Sequence, residues 1–364
     1  MPLLDPAAPP RSIVIVRLSA RGDVVFATAL IPALRRAFPD ARITWVVEEA
    51  ARDLVEANPR LDRVVVMPRA RWGRDLRSGR LLSALAGVRA FVRELRSEPI
   101  DLALDVQGIL RSGLVAWLSG AKRRIGLGSK EGSGVLMHDV VASETHGFVR
   151  VSSEYVHLAR ELGLEATSFP MDVAPAPEAR AEADARLRAE GLETGRYVVF
   201  APFTTRPQKH WFAERWAELA GRVAARFGLP VVVLGGPGDR AAMERIADLA
   251  EAGVHDFVGA TRLGEAAEVV RRAAAVVGVD TGLTQIAVAF RRPTVALFGS
   301  TLPWLETPES VSRVVHEPMH CSPCRKRPTC GGAWSCMRAL GVGRVETALA
   351  EVLAESGALP EASA

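Results

Sequence analysis

Short β-branched apolar runs alternate with amphipathic stretches along most of the chain. In the first half the clearest runs cover residues 12–17, 42–47, 63–67 and 101–105, with helical patterns between them, notably at 25–37 and 81–96. The second half repeats the alternation, with runs at 197–201, 230–234, 254–257, 274–279 and 294–298. Strands that alternate with helices form parallel sheets covered on both faces. The pattern therefore predicts an α/β fold with two doubly wound, Rossmann-like domains facing a central cleft.

The two halves are separated by a proline-rich segment. Residues 169–178 contain three prolines in ten positions, which suits an extended linker better than a helix or a strand. We therefore predict a first domain over residues 1–168, a linker over 169–178 and a second domain over 179–345. Residues 346–364 are predicted to form a carboxyl-terminal helix and tail.

Composition limits the class of protein. The chain has 364 residues, of which 48% are hydrophobic and 24% charged, a balance typical of globular proteins. No run approaches the roughly 20 apolar residues needed to span a bilayer, and residues 1–10 lack a charged segment followed by an apolar one, so a cytoplasmic protein is expected. Residues 1–170 hold 24 basic and 19 acidic side chains. An anionic partner is therefore expected at the first half.

A polar loop follows a buried run in each half, and the two loops are expected to occupy matching places. Residues 19–23 read Ser-Ala-Arg-Gly-Asp, and residues 280–283 read Asp-Thr-Gly-Leu. Both sit where parallel α/β sheets bind ligands. A carboxylate such as Asp23 is a competent general base when a substrate hydroxyl comes within hydrogen-bond reach. The alternative is that Asp23 is only a helix cap.

Three further segments of the second half suggest a nucleotide site. Thr204, Thr205 and Lys209 follow a strand and can bind a diphosphate; alternatively, the threonines cap a turn and the tryptophans nearby, Trp211 and Trp216, belong to the core. A helix starting after Gly282 would add unpaired N–H donors, although an Asp cap with a turn glycine explains the same residues. The Gly-rich turn before Asp239 could place its carboxylate on ribose hydroxyls, but its spacing is not GxGxxG.

An arginine-rich segment occupies residues 69–80. It has five arginines and one aspartate in 12 residues, and arginine forks suit phosphate and carboxylate groups. We expect Arg69, Arg71 and Arg74 to meet an anionic acceptor at a membrane surface, the alternative being a solvated helix. Nucleic acid is the competing partner, but no recognised binding module or aromatic platform accompanies the arginines, so none is expected.

All four cysteines fall within 16 residues, at Cys321, Cys324, Cys330 and Cys336. In a cytosolic protein this clustering favours a structural metal, zinc first and iron second, because four thiolates complete a closed tetrahedral site. Disulfides or four free thiols are the alternatives. A closed site has no open position, so it is not expected to take part in catalysis. Arg325, Lys326 and Arg327 within the cluster are candidates to contact an anionic partner.

These motifs together resemble the bacterial heptosyltransferases, inverting glycosyltransferases of family 9 with the GT-B architecture. The resemblance covers roughly residues 12–340. Residues 71–74 and 45–49 look most like the branch that adds the first heptose to the inner-core Kdo of lipopolysaccharide. The resemblance rests on five segments in order: 16–23, 45–49, 105–112 with Asp105, Gln107 and Arg111, 204–211 and 279–283. A cysteine cluster of this kind resembles one that holds iron in heptosyltransferases of autotransporter proteins.

The resemblance implies a role for each matching residue. Asp23 would be the catalytic base, with Ser19 beside it facing the sugar and phosphates, and Lys209 would stabilise the leaving group. Arg69, Arg71, Arg74 and Gln107 would bind the acceptor. Donor contacts would come from the following residues: Thr204, Thr205 and Lys209 on the diphosphate; Asp280, Thr281, Gly282 and Leu283 closing over it; Asp239 on the ribose; and Thr261 and Leu263 at the adenine.

The implied activity is transfer of heptose from ADP-heptose to the Kdo/heptose inner core of lipopolysaccharide, without a catalytic cofactor. The enzyme would be cytoplasmic, with peripheral contact at the inner membrane. Three alternatives stay open: a protein O-heptosyltransferase, a sugar-nucleotide epimerase and a non-catalytic nucleotide-binding protein. The chain departs from the family pattern twice, with Gln285 where histidine is usual and Ala20 where a second serine is common. Gln285 can still donate a hydrogen bond.

Overall fold

The computed structural model describes residues 2–5, 7–143, 150–251, 253–324 and 327–358. The chain divides into two compact units. Unit 1 comprises Met1–Phe148 and Ser152–Pro175, and unit 2 comprises Val149–Val151 and Ala176–Ala364. The sequence-based limits at residues 168, 178 and 345 stay a prediction. Within the described ranges, no helix combines the length and apolar character needed to cross a membrane.

Unit 1 is built on a six-stranded parallel sheet. Its strands are β1 (Ser12–Val16), β2 (Arg42–Glu48), β3 (Arg63–Met67), β4 (Leu102–Asp105), β5 (Arg123–Leu127) and β6 (Asp139–Val141). Its helices are α1 (Arg21–Ala27), α2 (Leu30–Ala37), α3 (Arg69–Arg77), α4 (Leu81–Leu95), α5 (Leu110–Leu118) and α6 (Ser153–Leu162). The strand order is β3-β2-β1-β4-β5-β6.

Unit 2 has a second six-stranded parallel sheet. Its strands are β7 (Val198–Ala201), β8 (Val231–Val233), β9 (His255–Asp256), β10 (Ala275–Val279), β11 (Thr294–Phe298) and β12 (Ser312–His316). Its helices are α7 (Pro177–Ala189), α8 (Ala213–Phe227), α9 (Arg240–Leu249), α10 (Leu263–Arg271), α11 (Gly282–Ala289), α12 (Ser335–Arg338) and α13 (Val342–Glu355). The strand order is β12-β11-β10-β7-β8-β9.

The local reasons for this fold lie in the burial of the apolar runs. Every residue of the central strands β10 and β11 is buried, as expected for parallel strands covered by helices on both faces. The flanking helix α8 is amphipathic, and it buries Trp216, Leu219 and Val223 against the sheet. The predicted α/β fold with two doubly wound parallel sheets is confirmed.

Both sheets have the same internal order. When the strands of each unit are counted in sequence, both sheets read 3-2-1-4-5-6. The order reverses between the first and fourth strands, and ligands of open α/β sheets bind at the carboxyl ends of the strands at this switch point. The switch point lies between β1 and β4 in unit 1, and between β7 and β10 in unit 2.

The expectation that the loops at 19–23 and 280–283 occupy matching places is wrong. Asp23 lies in the helix after the first strand of its sheet, whereas Asp280 directly follows the fourth strand, β10. In unit 1 the fourth strand, β4, ends at Asp105. The local pattern of strand, polar loop and helix is the same at both places, and strand order depends on long-range pairing that this pattern does not encode.

Candidate functional site

Asp23 is an exposed carboxylate held by a buried arginine. It lies in the first turn of α1, and its Oδ2 is 2.6 Å from a terminal guanidinium nitrogen (NH2) of Arg17, the residue after β1. The side chain of Asp23 is 52% exposed and that of Arg17 only 9%. The other terminal nitrogen of Arg17 donates to the carbonyl of Val106 at 2.9 Å. The carboxylate is therefore both oriented and accessible.

The surroundings of Arg17 keep it charged. Burial alone would lower the pKa of Arg17, but the phenol of Tyr155 and nearby carboxylates raise it overall; these carboxylates are Asp23, Glu154 and Asp105. Burial also raises the pKa of Tyr155, so its hydroxyl stays protonated, and it donates to the carbonyl of Asp23 at 3.3 Å. Arg17 is therefore a permanent cation beneath Asp23.

Gln107 joins the two strands of the unit 1 switch point. Its Oε1 accepts the N–H of Leu18 at 2.8 Å and that of Ser19 at 3.4 Å. The preceding carboxylate, Asp105, accepts the N–H groups of Gln107 and Gly108 at 3.1 Å each, and burial raises its pKa. Gln107 thus fixes the backbone that leads toward Asp23. Its predicted contact with an acceptor stays a prediction.

The structure divides the predicted acceptor-binding arginines into two kinds. Arg69 donates from Nε to Oε1 of Glu48 at 2.9 Å, and Arg111 approaches the same oxygen at 3.4 Å. Glu48 ends β2 and its side chain is only 11% exposed. Arg71 and Arg74 lie exposed on α3, and within the described part of the chain neither forms an ion pair. Sequence reasoning did not anticipate the link between Arg69 and Glu48.

Asp280 is the central acceptor of the unit 2 switch point. Its Oδ2 forms an ion pair with Nζ of Lys209 and accepts the hydroxyl of Thr301 at 2.7 Å. Its Oδ1 accepts Nε2 of Gln285 at 3.0 Å. The side chains of Lys209 and Asp280 are 15% and 17% exposed. Lys209 and Asp280, both predicted to bind the donor, therefore bind each other. Gln285 donates a hydrogen bond, as expected. Thr301 was missed, since a lone threonine after β11 has no distinctive pattern.

The other residues predicted to bind the diphosphate surround this pair. Thr204 is half-buried and its carbonyl lies 2.7 Å from Nε2 of His210, while Thr205 is exposed. Thr281 precedes α11, which begins with Gly282 and Leu283 and, like any helix, leaves the N–H groups of its first turn without intrahelical acceptors. These are the donors that suit an anionic ligand.

Trp211 and Trp216 belong to the core, as the alternative interpretation of this segment predicts. Their rings pack edge to face with centroids 5.1 Å apart, and Trp211 donates from Nε1 to the carbonyl of Leu340 at 2.9 Å. They hold the segment after Lys209 in place.

The residues predicted to bind the nucleoside lie between the end of β8 and the first residue of α10. Oδ2 of Asp239 accepts the N–H of Gly236 at 2.8 Å, within the Gly-rich turn. A side chain at Gly235 would meet the ring of Phe203 at 2.5 Å, so glycine is needed there. The hydroxyl of Thr261 is buried, and among the described residues it has no hydrogen-bond partner. Leu263 is half-buried and begins α10.

The described residues do not support the metal predicted at the cysteine cluster. Cys321, Cys324, Cys330 and Cys336 are all free thiols. Over the residues described here, no group of three or more His, Cys, Asp or Glu side chains is arranged to hold a metal ion. The prediction of structural zinc or iron therefore has no support. Arg325 and Lys326 lie outside the described residues.

The cysteine segment packs against the sheet of unit 2. A side chain at Gly299, directly after β11, would lie 2.6 Å from Sδ of Met337 and 2.8 Å from Sγ of Cys336. The hydroxyl of Ser322 donates to the carbonyl of Gly299. The segment therefore supports the loop that carries Thr301.

The matching family supplies the context for this geometry. The profile described as Glycosyltransferase family 9 (heptosyltransferase) matches residues 88–334. The chain belongs to glycosyltransferase family 9. It is thus a glycosyltransferase of the heptosyltransferase class, as the motifs predicted, and the lipopolysaccharide heptosyltransferase 1 of Pseudomonas aeruginosa is 29% identical to it over 330 residues, 87% of each chain.

Solved structures share the fold of this family 9 chain. The family 9 glycosyl transferase of Veillonella parvula has a TM-score of 0.79 at 22% identity, covering 95% of this chain and 97% of that one. The E. coli heptosyltransferase WaaC with ADP-2-deoxy-2-fluoro heptose has a TM-score of 0.71 at 24% identity, covering 93% of this chain and 99% of that one. The predicted GT-B fold is confirmed.

Proposed function

We propose that this family 9 enzyme transfers heptose from ADP-heptose to the anionic inner core of lipopolysaccharide, with inversion at the anomeric carbon. The relative from P. aeruginosa is named a lipopolysaccharide heptosyltransferase, and WaaC binds an ADP-heptose analogue. The observation that carries the mechanism is the exposed Asp23 carboxylate fixed by the buried, charged Arg17.

Asp23 serves as the general base. The acceptor oxygen attacks the anomeric carbon as the bond from that carbon to the diphosphate oxygen breaks, and the electron pair of that bond leaves with ADP. The acceptor proton passes to Asp23. Proton removal late in the step suits a carboxylate, because bond formation acidifies the attacking hydroxyl. Arg17 fixes the carboxylate, and Ser19 lies between the two in the chain.

Unit 2 binds the donor in this proposal. Lys209 neutralises the leaving diphosphate, with Thr204, Thr205 and the first turn of α11 adding hydrogen bonds. Asp280 holds Lys209 in position and is itself held by Thr301 and Gln285. The residues assigned to the rest of the donor are Thr281, Gly282, Leu283, Asp239, Thr261 and Leu263.

Unit 1 binds the acceptor in this proposal. Arg71 and Arg74 carry charges that no described partner neutralises, so they are the better candidates for phosphate or carboxylate groups of the acceptor. Arg69 shares Glu48 with Arg111, and we assign it to the edge of the acceptor site. Gln107 supports the backbone of Leu18 and Ser19, which leads to Asp23.

Mass spectrometry of the products tests this proposal. We expect the purified protein to add one heptose to a Kdo-bearing lipid A acceptor in the presence of ADP-heptose. Conversion of the donor sugar without an acceptor would instead indicate an epimerase. Modification of a protein acceptor alone would indicate a protein heptosyltransferase, and nucleotide binding without turnover would contradict an enzymatic role.

A further inference from the structure

Helices α3 and α4 form a rigid hairpin in unit 1. The two helices are joined by residues 78–80, and the buried Asp75 accepts the hydroxyl of Ser83 at 3.1 Å and a guanidinium nitrogen of Arg80 at 2.8 Å. The ring of Trp72 packs edge-on against Phe91, with centroids 5.6 Å apart. The end where the two helices join is therefore held in a fixed shape; we call it the hairpin tip.

The hairpin tip exposes leucines that the core does not use. Leu82 is 84% exposed, and Leu76, Leu81 and Leu85 are each 53% to 59% exposed. Residues 81, 82 and 85 share one face of α4, because i, i+3 and i+4 positions are neighbours on a helix. A separate stripe of α4 buries Ala84, Phe91 and Leu95. Contiguous exposed apolar groups of this kind mark interaction sites rather than ordinary surface.

Arginines surround these leucines. Arg71, Arg74 and Arg77 are exposed on α3, and Arg89 and Arg93 are exposed on α4. Within the described ranges none of these five forms an ion pair, and the aspartate of the hairpin, Asp75, is buried and bound to Arg80. The surface is thus apolar at the tip and basic around it. This combination is typical of helices that lie in the interface of an anionic bilayer.

Other occupants fit this surface less well. Four exposed leucines offer nothing to a nucleic acid backbone, which is bound through charge and hydrogen bonds. A second copy of the chain in a two-fold contact would bring the same arginines face to face, because such an interface uses the same patch on both subunits. An anionic lipid surface satisfies both components, since leucine inserts among acyl chains and arginine pairs with headgroup phosphates.

We propose that the tip of the α3–α4 hairpin is a docking surface for an anionic lipid bilayer, into which Leu81, Leu82 and Leu85 insert. The arginines around them set the preference for negatively charged headgroups. This inference goes beyond the transferase chemistry, because binding to the bilayer requires neither donor nor acceptor.

Co-sedimentation with vesicles tests the docking surface. We expect the protein to bind vesicles of phosphatidylcholine with 30% phosphatidylglycerol and to bind pure phosphatidylcholine at least tenfold more weakly. The double variant Leu82→Gln/Leu85→Gln should lose roughly tenfold in partition coefficient. The double variant Arg77→Gln/Arg89→Gln should lose about fivefold for each charge removed at low salt, and less in high salt. Leu249→Gln, a control at a 53% exposed leucine of unit 2, should bind as the wild type does.

Three results would overturn the proposal. These are equal binding to neutral and anionic vesicles, unchanged binding by the leucine variant, and a dimer in light scattering that the leucine variant dissociates. Transfer to a water-soluble, deacylated acceptor should be unchanged in Leu82→Gln/Leu85→Gln. If the wild type binds vesicles but makes no product, the proposed function fails and the docking surface stands. If it makes product but does not bind vesicles, the docking surface fails and the proposed function stands.

Discussion

The switch points of the two sheets are built on the same strand order but joined differently. In unit 1 the residue that reaches from the fourth strand to the first is Gln107, a neutral amide that accepts the N–H groups of Leu18 and Ser19. In unit 2 it is Asp280, a carboxylate that pairs with Lys209. The amide of Gln107 makes this link in unit 1, and the carboxylate of Asp23 pairs with Arg17 and stays 52% exposed.

Within the proposed mechanism, the contacts of Asp280 argue against a second base at this position. Its two oxygens are occupied by Lys209, Thr301 and Gln285, and its side chain is largely buried. A carboxylate bound in this way positions a cation. Asp23 has one ion pair, to Arg17, and half of its side chain faces solvent. We therefore propose different roles for the two aspartates, because they differ in the number of donors around them.

The largest effect is expected from Asp23→Asn. This change keeps the shape of the side chain but removes the base, so kcat should fall by about 10² to 10⁴. The affinity for ADP, measured by calorimetry, should change less than twofold. Asp40→Asn, at an exposed aspartate of the same unit, is the matched control and should keep full activity. Full turnover by Asp23→Asn would contradict the assignment.

A smaller loss is expected from breaking the pair in unit 2. Lys209→Ala and Asp280→Asn should each lower kcat/KM for the donor by roughly 10- to 100-fold, since a hydrogen bond between charged groups contributes about 1.5–3 kcal/mol. If Asp280 acts only by positioning Lys209, the double variant should be little worse than Lys209→Ala. Additive losses in this double-mutant cycle would show that Asp280 has a separate role.

The comparison of the two units also shows what the sequence could predict. Runs such as β10 and β11 are buried throughout, so their apolar pattern is local and the α/β fold follows from it. The strands β5, β6 and β12 were not predicted, because they are partly exposed and their patterns are weak. Strand order is a long-range property, which is why Asp23 and Asp280 were wrongly matched.

Side-chain partners were the least predictable part of the site. Lys209 and Asp280 are 71 residues apart and come together only because β7 and β10 pair. Arg69 and Arg71 look alike in the sequence, yet only Arg69 reaches the buried Glu48 at the end of β2. The cysteine spacing suggested a closed metal site, but spacing does not show whether four thiols converge. Each of these outcomes depends on distances that no local pattern contains.

Thr301→Val should have a modest effect on the donor site. It removes one of the three donors to Asp280 with little change in volume, and a single hydrogen bond contributes about 0.5–1.5 kcal/mol. We expect a loss of roughly 2- to 10-fold in kcat/KM for the donor. Adding Thr301→Val to Lys209→Ala should cause no further loss, because the pair is already broken there. Ser310→Ala, at another hydroxyl of unit 2 that is remote in sequence from the Asp280 loop, should show wild-type kinetics. A loss in the Lys209→Ala background would mean that Thr301 acts independently of the pair.

The smallest effect concerns Asp105, the last residue of the fourth strand of unit 1. Burial raises its pKa in the folded protein, so the folded state binds this proton more tightly than the unfolded chain does. The contribution of Asp105 to stability is therefore greatest below its ordinary pKa of 3.8 and is lost as the pH rises through the raised value.

Asp105→Asn keeps an oxygen for the N–H groups of Gln107 and Gly108 but cannot ionise. We measure the free energy of unfolding of both proteins with urea from pH 3.5 to pH 7. As the pH rises, the value for the variant should increase relative to that of the wild type by on the order of 1 kcal/mol. A difference between the two proteins that does not change with pH would mean that burial does not penalise the ionised form of this carboxylate.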